Sequence, residues 1–386
     1  MTQRKNTTHT ENSKNAGQNM RPEYSPSTAP TAREMADAMG LGLNLGNTME
    51  SYEAKNCGDV SYRWIPKAGN NTPGDYETLW HAPVTTQKVI DGIRSAGFRT
   101  VRIPVFWGNM MENDGFYRIH PDYMRRVREI VDYCLNAGLY TVINIHHFDE
   151  FLIRRHSLTD CERIFRILWA QIAEEFRDDP YTLVFEGYNE HLGLDQFDRN
   201  GVLTKFDPSD GYRFTNSLNQ IFVDTVRTCG GNNARRVLIA SGFNTNIDRT
   251  TSNRFRMPSD RVTDRLMISV HYVDNAMYWD NKIGSAEWLE YIESQCLLLK
   301  NAFTDKGIPV FMGETTSFYP KDRFDSGAVY TDSADCLAIV LRKLIREHIV
   351  PALWDTGNGF YSRTEYWIRY AKERDLIKTL ARGTRV

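Results

Sequence analysis

The chain lacks any unbroken apolar stretch of the ~20 residues that a membrane-spanning helix requires, so nothing in it is expected to cross a bilayer. It lacks a surplus of either charge: 47 Lys and Arg stand against 49 Asp and Glu, a net charge of −2 over 386 residues. Nucleic acid or an acidic partner would call for a basic surplus, so neither is expected and the ligand should be neutral. The six cysteines (57, 134, 161, 229, 296 and 336) show no C-x-x-C or metal-ligand spacing. Buried free thiols are the expectation, with one structural disulfide as the alternative. No H-x-H or H-E-x-x-H spacing is present, which argues against a zinc hydrolase built on His146, His147 and His271. Residues 1–32 are Asn, Thr, Ser, Gln and charge, without the apolar segment of a signal peptide. They read as a disordered tail or linker ahead of one domain spanning 33–386.

What the chain does have is a series of short apolar runs joined by amphipathic stretches. Strand-like runs fall at Leu41–Asn44, Thr100–Val105, Tyr140–His146, Thr182–Glu190, Val237–Ser241, Leu266–Val270, Pro309–Glu314 and Pro351–Trp354. Between them, Tyr123, Val127, Ile130, Val131, Cys134 and Leu135 share one helical face, and Trp288, Ile292, Cys296, Leu299 and Phe303 another. Gly97, Gly138 and Gly307 each stand where a helix should stop before the next strand. Strands alternating with helices over this length predict an α/β fold, a single (β/α)8 TIM barrel with an open groove at the C-terminal ends of its strands. The run Gly40-Leu-Gly42-Leu-Asn-Leu-Gly46 resembles a phosphate-binding turn only superficially, because its glycines flank a strand instead of joining strand to helix.

Polar residues close these apolar runs, and in a barrel they converge on one mouth. Glu190 and Glu314 are two carboxylates from different strands, the equipment of a glycosidase. Arg102, inside Val101-Arg-Ile-Pro104, must be paired if it points inward, and a carboxylate at the mouth is its natural partner. His146 and His147, Asn189, His271 and Tyr272, and Trp354 close further strands. Aromatics make up 12% of the chain, and Tyr52, Tyr62, Trp64, Tyr76 and Trp80 crowd the long connection 47–83. That connection reads either as a binding wall or as a small core of its own.

The blocks Gly42-Leu-Asn-Leu-Gly-Asn-Thr48, Gly97-Phe-Arg-Thr-Val-Arg-Ile-Pro104, Asn144-Ile-His-His147, Phe185-Glu-Gly-Tyr-Asn-Glu190, His271-Tyr272, Gly313-Glu314 and Trp354-Asp355 follow one another in order. Together they resemble glycoside hydrolase family 5, the cellulase family, and most of all its subfamily 4 endoglucanases. The resemblance implies Glu190 as general acid/base and Glu314 as nucleophile, with Arg102, His146, Asn189, His271 and Trp354 around them. It implies Asn47, Glu50 and His147 at positions that often line the cleft. One departure stands out: the family usually reads His-x-Tyr at the sixth strand, whereas this chain reads His271-Tyr272-Val273. Either Tyr272 is reoriented, or Tyr278 substitutes, or the nucleophile lacks that hydrogen bond.

The expectation is a retaining endo-β-1,4-glucanase acting on cellulose-type or mixed-linkage β-glucan, without metal or organic cofactor, as a monomer outside the cell. Xyloglucan and mannan are the alternative substrates, with selectivity carried by segments 47–83 and 191–210. A non-catalytic sugar-binding barrel is the more distant alternative.

Overall fold

A computed structural model describes residues 29–53, 69–112, 114–147, 156–191, 208–318, 327–357 and 359–383. Eight parallel strands pair in chain order and close on themselves. They are β1 (Gly42–Asn44), β2 (Thr100–Ile103), β3 (Tyr140–Ile143) and β4 (Leu183–Glu186). The circuit continues through β5 (Leu238–Ser241), β6 (Leu266–His271), β7 (Val310–Thr315) and β8 (Ile349–Leu353), and β8 returns to β1. This is the (β/α)8 barrel that the alternating pattern predicts. Its strands are buried on both faces, which is why they read as continuous apolar runs.

Four strands end earlier than the sequence suggests: β2 at Ile103, not Val105, β3 at Ile143, not His146, β4 at Glu186, not Glu190, and β8 at Leu353, not Trp354. Beyond those points the amides still find neighbours, with His146 N donating to Val105 O (2.8 Å) and Asn189 N to Ile145 O (3.0 Å). The chain has left the ladder there, and Glu190 therefore sits on the rim and not on the strand.

Helices α1 (Ala32–Met39), α2 (Gln87–Ala96), α3 (Pro121–Asn136), α4 (Leu158–Glu175) and α5 (Pro208–Thr228) belong to the first half of the chain. The second half adds α6 (Ile247–Thr250), α7 (Ala286–Ala302), α8 (Ser333–Arg346) and α9 (Ala371–Gly383). The predicted faces of α3 and α7 are the buried ones, including Cys134 and Cys296. Cys134, Cys161, Cys229, Cys296 and Cys336 are free, and Cys57 lies outside the described residues. One element departs from the plan: between β5 and β6 the helix shrinks to the single turn α6. The run Asp248–Arg254 is polar throughout and offers no apolar stripe to lay on the barrel.

The barrel interior is apolar at its floor and polar at its mouth. Tyr140, Val142, Val184, Ile239, Met267, Phe311 and Val350 fill the lower tiers. Helix α1 closes the floor with Ala32, Met35, Ala36 and Met39, and Thr100 Oγ1 donates to Met39 O at 2.6 Å. A capping box between Thr31 and Glu34 starts α1 in place, and Ala32 N donates to Asp264 O at 2.7 Å. Since Met35 is fully buried in this plug, Met35→Ala is expected to cost ~2–5 kcal/mol of unfolding free energy. A lowered denaturant midpoint with an unchanged m-value checks it.

Candidate active site

Above the apolar tiers, strand ends supply a layer of polar side chains that satisfy one another. Arg102 on β2, with no solvent exposure, is its centre. Its Nε donates to Glu186 Oε2 (2.7 Å), its Nη1 to Asn44 Oδ1 (3.0 Å) and Glu314 Oε1 (3.1 Å), and its Nη2 to Asn189 Oδ1 (2.8 Å). Glu186 also accepts from Ser269 Oγ (2.6 Å) and Asn144 Nδ2 (3.1 Å), so the buried carboxylate on β4 is saturated. Asn44 in turn donates to Gly313 O at 2.9 Å, tying β1 to β7.

Glu314 reaches the mouth through an irregularity in β7. Val270 pairs with Met312 but His271 pairs with Glu314, while Met312 pairs with Pro351 and Thr315 with Leu353. Strand β7 therefore carries one extra residue there, the signature of a bulge. A Cβ on Gly313 would stand 2.9 Å from His271 Nε2 and 3.1 Å from Glu186 Oε1. Only glycine lets Glu314 follow it into the mouth without displacing the polar layer.

Two further side chains reach the carboxylates from β6. His271 Nδ1 lies 2.9 Å from Glu190 Oε1 and 3.7 Å from Glu314 Oε1. Tyr272 Oη donates to Glu314 Oε2 at 2.7 Å, and its amide donates to Glu314 O at 2.8 Å. Tyr272 achieves this with a left-handed backbone, φ 48°, a conformation that costs an ordinary residue roughly 1–2 kcal/mol. Of the three alternatives at the sixth strand, the structure shows the first: Tyr272 is turned to the Glu314 carboxylate, Val273 is buried, and Tyr278 stands on the cleft wall. Burial and the two nearby carboxylates hold the Tyr272 phenol well above its ordinary value, so it stays a donor.

One polar side-chain atom from each of Glu190, His271 and Glu314 lies within 4.8 Å of the other two. Glu314 is buried and Glu190 has a half-open side chain, 43% exposed. Burial pushes the Glu314 carboxyl above the usual carboxylate range; His271 opposes this, Glu190 repulsion adds to it, and Arg102 and Tyr272 pull it back. Arg102 and Tyr272 both favour charge on Glu314, and among the described residues neither contacts Glu190. Trp354, which follows β8, lines the same cleft of about 390 Å³, and the His146 ring stacks parallel to it (6.2 Å, 7°). Burial lowers His146 and His147 and keeps both imidazoles neutral.

The sequence-derived residues thus gather as expected, with two adjustments. His147, φ 52°, packs edge-on against Tyr52 (4.8 Å) and His146 (4.6 Å) beside Trp80, joining an aromatic wall. Glu50 is buried and does not line the cleft: its oxygens accept the amides of Asn47 and Thr48 and fix the turn after β1. Burial pushes its carboxyl up to about 7. Asn47 is half-buried in that turn with φ 61°. In the connection 47–83, Tyr76 is wholly buried against Tyr123 as part of the main core, while Tyr62 and Trp64 lie outside the described residues. Sequence reasoning missed Glu186, Asn44, Asn144 and Ser269. Their signal was polarity at inward-facing strand positions, masked in Glu186 by its nearness to Glu190.

A closed parallel barrel with two carboxyls facing each other across its C-terminal mouth is the catalytic apparatus of a glycoside hydrolase. Residues 63–360 match the family described as Cellulase (glycosyl hydrolase family 5), and the chain belongs to that family. It is 33% identical over 368 residues to endoglucanase A of Paenibacillus barcinonensis, covering 85% of this chain and 84% of that one. It is 31% identical to a xyloglucan-specific endo-beta-1,4-glucanase of Bacteroides ovatus, covering 85% of this chain and 65% of that protein. Among solved structures, a GH5-4 broad specificity endoglucanase from an uncultured bovine rumen ciliate superposes with a TM-score of 0.77 at 30% identity, covering 92% and 99% of the two chains.

Removing Arg102 leaves Glu186 and Glu314 buried without a cation. Arg102→Met is expected to lose roughly 3–5 kcal/mol of stability near neutral pH. The unpaired carboxyls would then bind protons more tightly folded than unfolded, so the deficit should shrink as pH falls. Denaturant titrations across the acid range check both signs.

Proposed function

We propose that this chain is a retaining endo-β-1,4-glucanase acting on β-glucan polymers. The observation that carries the reading is the asymmetry of the carboxyl pair: among the described residues, Glu314 is held by Arg102 and Tyr272, and Glu190 by His271. Glu314 attacks the anomeric carbon, forming a glycosyl ester as the glycosidic C–O bond breaks, and Glu190 gives its proton to the departing oxygen. Glu190, now ionised, takes a proton from water; the water oxygen attacks the same carbon and releases Glu314. Arg102 steadies the charge on Glu314, Trp354 floors the cleaved sugar, and Asn189, its Oδ1 engaged by Arg102, offers its amide N–H to a sugar hydroxyl. No step calls on a metal.

Mixed-linkage glucan and xyloglucan are the substrates to rank beside cellulose. Similar proteins include a lichenase from Caldicellulosiruptor sp. F32 (TM-score 0.77, 26% identity) and the Bacteroides ovatus xyloglucanase (TM-score 0.75, 26% identity). Such polymers lie outside cells, where the enzyme would act as a monomer. No helix among the described residues is long and apolar enough to cross a membrane.

Reducing-sugar release on carboxymethyl-cellulose, barley β-glucan, xyloglucan, galactomannan and xylan tests the reading, with chelator present in a parallel series. Glucan hydrolysis that survives chelation and is lost in Glu314→Ala is expected. Azide added to Glu314→Ala should give a glycosyl azide of inverted configuration; a retained product would reassign the nucleophile.

The pH profile follows from the same contacts. Turnover needs Glu314 ionised, so the rate falls as pH drops through its raised pKa. Tyr272→Phe removes a hydrogen bond that favours the charged form, which moves the acid limb to higher pH. A limb that stays in place would separate Tyr272 from the charge on Glu314.

A further inference from the structure

We propose that Arg363, buried outside the cleft, is a positioning residue that holds Trp354 in place by gripping the backbone next to it. This rests on the glucanase reading above, in which Trp354 floors the cleaved sugar, and it adds a residue that touches no substrate. Arg227, Arg236 and Arg363 are all buried. The first two engage Nε, Nη1 and Nη2 alike with carboxylate, amide or carbonyl oxygens. Arg363 differs: its Nη2 donates to Asp355 O at 2.7 Å, while among the described residues its Nε and Nη1 meet no acceptor. Burying a guanidinium for so little pairing costs stability, so its use is to be sought in what that one bond holds.

The bond holds the floor of the cleft. Trp354 N donates to Thr315 O at 2.9 Å, and Trp354 O accepts from Ser317 Oγ at 2.6 Å, which ties the residue to the end of β7. The next carbonyl, Asp355 O, accepts from both Gly46 N (2.9 Å) and Arg363. A Cβ on Gly46 would stand 3.0 Å from Trp354 Cζ2 and 2.8 Å from Asp355 O, so the indole rests directly on the backbone that this carbonyl fixes. The Asp355 carboxylate turns the other way and accepts the amides of Gly357 (3.0 Å), Phe360 (3.3 Å) and Tyr361 (3.3 Å). Burial pushes that carboxyl up and Arg363 pulls it back.

Arg363 is itself carried on a fixed mount. It follows Tyr361–Ser362, which pairs antiparallel with Trp367–Ile368, and Tyr361 Oη donates to Val89 O on α2 at 3.0 Å. Gly357, φ 84°, makes room for it: a Cβ there would stand 2.8 Å from Arg363 Nε. The same guanidinium favours charge on Glu50, whose carboxylate accepts the amides of Asn47 and Thr48 just past Gly46. One cation thus acts on both segments that meet under the indole, the turn after β1 and the loop after β8.

The test is a double-variant cycle on affinity. In a Glu314→Gln background, calorimetry measures cellohexaose binding with Arg363→Met, with Trp354→Ala and with both. Arg363→Met is expected to weaken binding about tenfold, and both changes together no more than Trp354→Ala alone, because the first acts through the second. Arg363→Lys, which keeps the charge, should recover part of the loss. Losses that add, or unchanged affinity in Arg363→Met, overturn the proposal. Thermal unfolding first establishes that each variant is folded at the assay temperature; if Arg363→Met is not, Arg363→Lys takes its place in the cycle under the same criteria. With Glu314 restored, the drop in kcat/KM should be equal for cellotriose and cellohexaose, since both need the floor under the cleaved sugar. A loss confined to the longer substrate overturns the proposal. Wild-type protein that binds cellohexaose but cleaves no glucan would fail the glucanase reading alone.

Discussion

A single guanidinium with no access to water organises this molecule. Arg102 is fully buried, and a buried charge is tolerated only when every donor finds an acceptor and the charge is balanced. Its partners come from β1, β4, β7 and the segment after β4, so one side chain fixes the relative positions of four strand ends. It also supplies one positive charge to two carboxylates. Glu186 shares that charge with Glu314, whose carboxyl burial keeps above the usual carboxylate range.

The barrel divides its work by height. The floor, closed by α1, is apolar and contributes stability; the mouth is polar and contributes chemistry. Strands deliver the residues that must not move, and the bulge in β7 delivers the one that must stand further forward than the ladder allows. The rim segments carry what lines the cleft: Glu190 past the end of β4, Trp354 past β8, and the Tyr278–Trp279 pair past β6.

Much of this was legible in the sequence for a physical reason. Strands buried on both faces cannot hide, because they must be apolar throughout, and a polar residue that ends such a run is conspicuous. Glu314, Arg102, His271 and Trp354 were visible on those terms. What stayed hidden depended on small backbone deviations. Nothing in Met312-Gly-Glu314 announces an extra residue in the ladder, and nothing in the letters of Tyr272 announces a left-handed φ. Glu50 misled because its place in the chain resembled that of a cleft residue, while its carboxylate had turned back onto the amides of its own loop. The lost helix between β5 and β6 was readable in the polar run Asp248–Arg254, once helix was asked of that stretch in particular.

The left-handed turn at Tyr272 separates what the letters say from where the atoms lie. Read by letter, the third position of His271-Tyr272-Val273 offers no hydroxyl; in space a hydroxyl reaches Glu314 all the same, carried there from position 272 by a single backbone torsion.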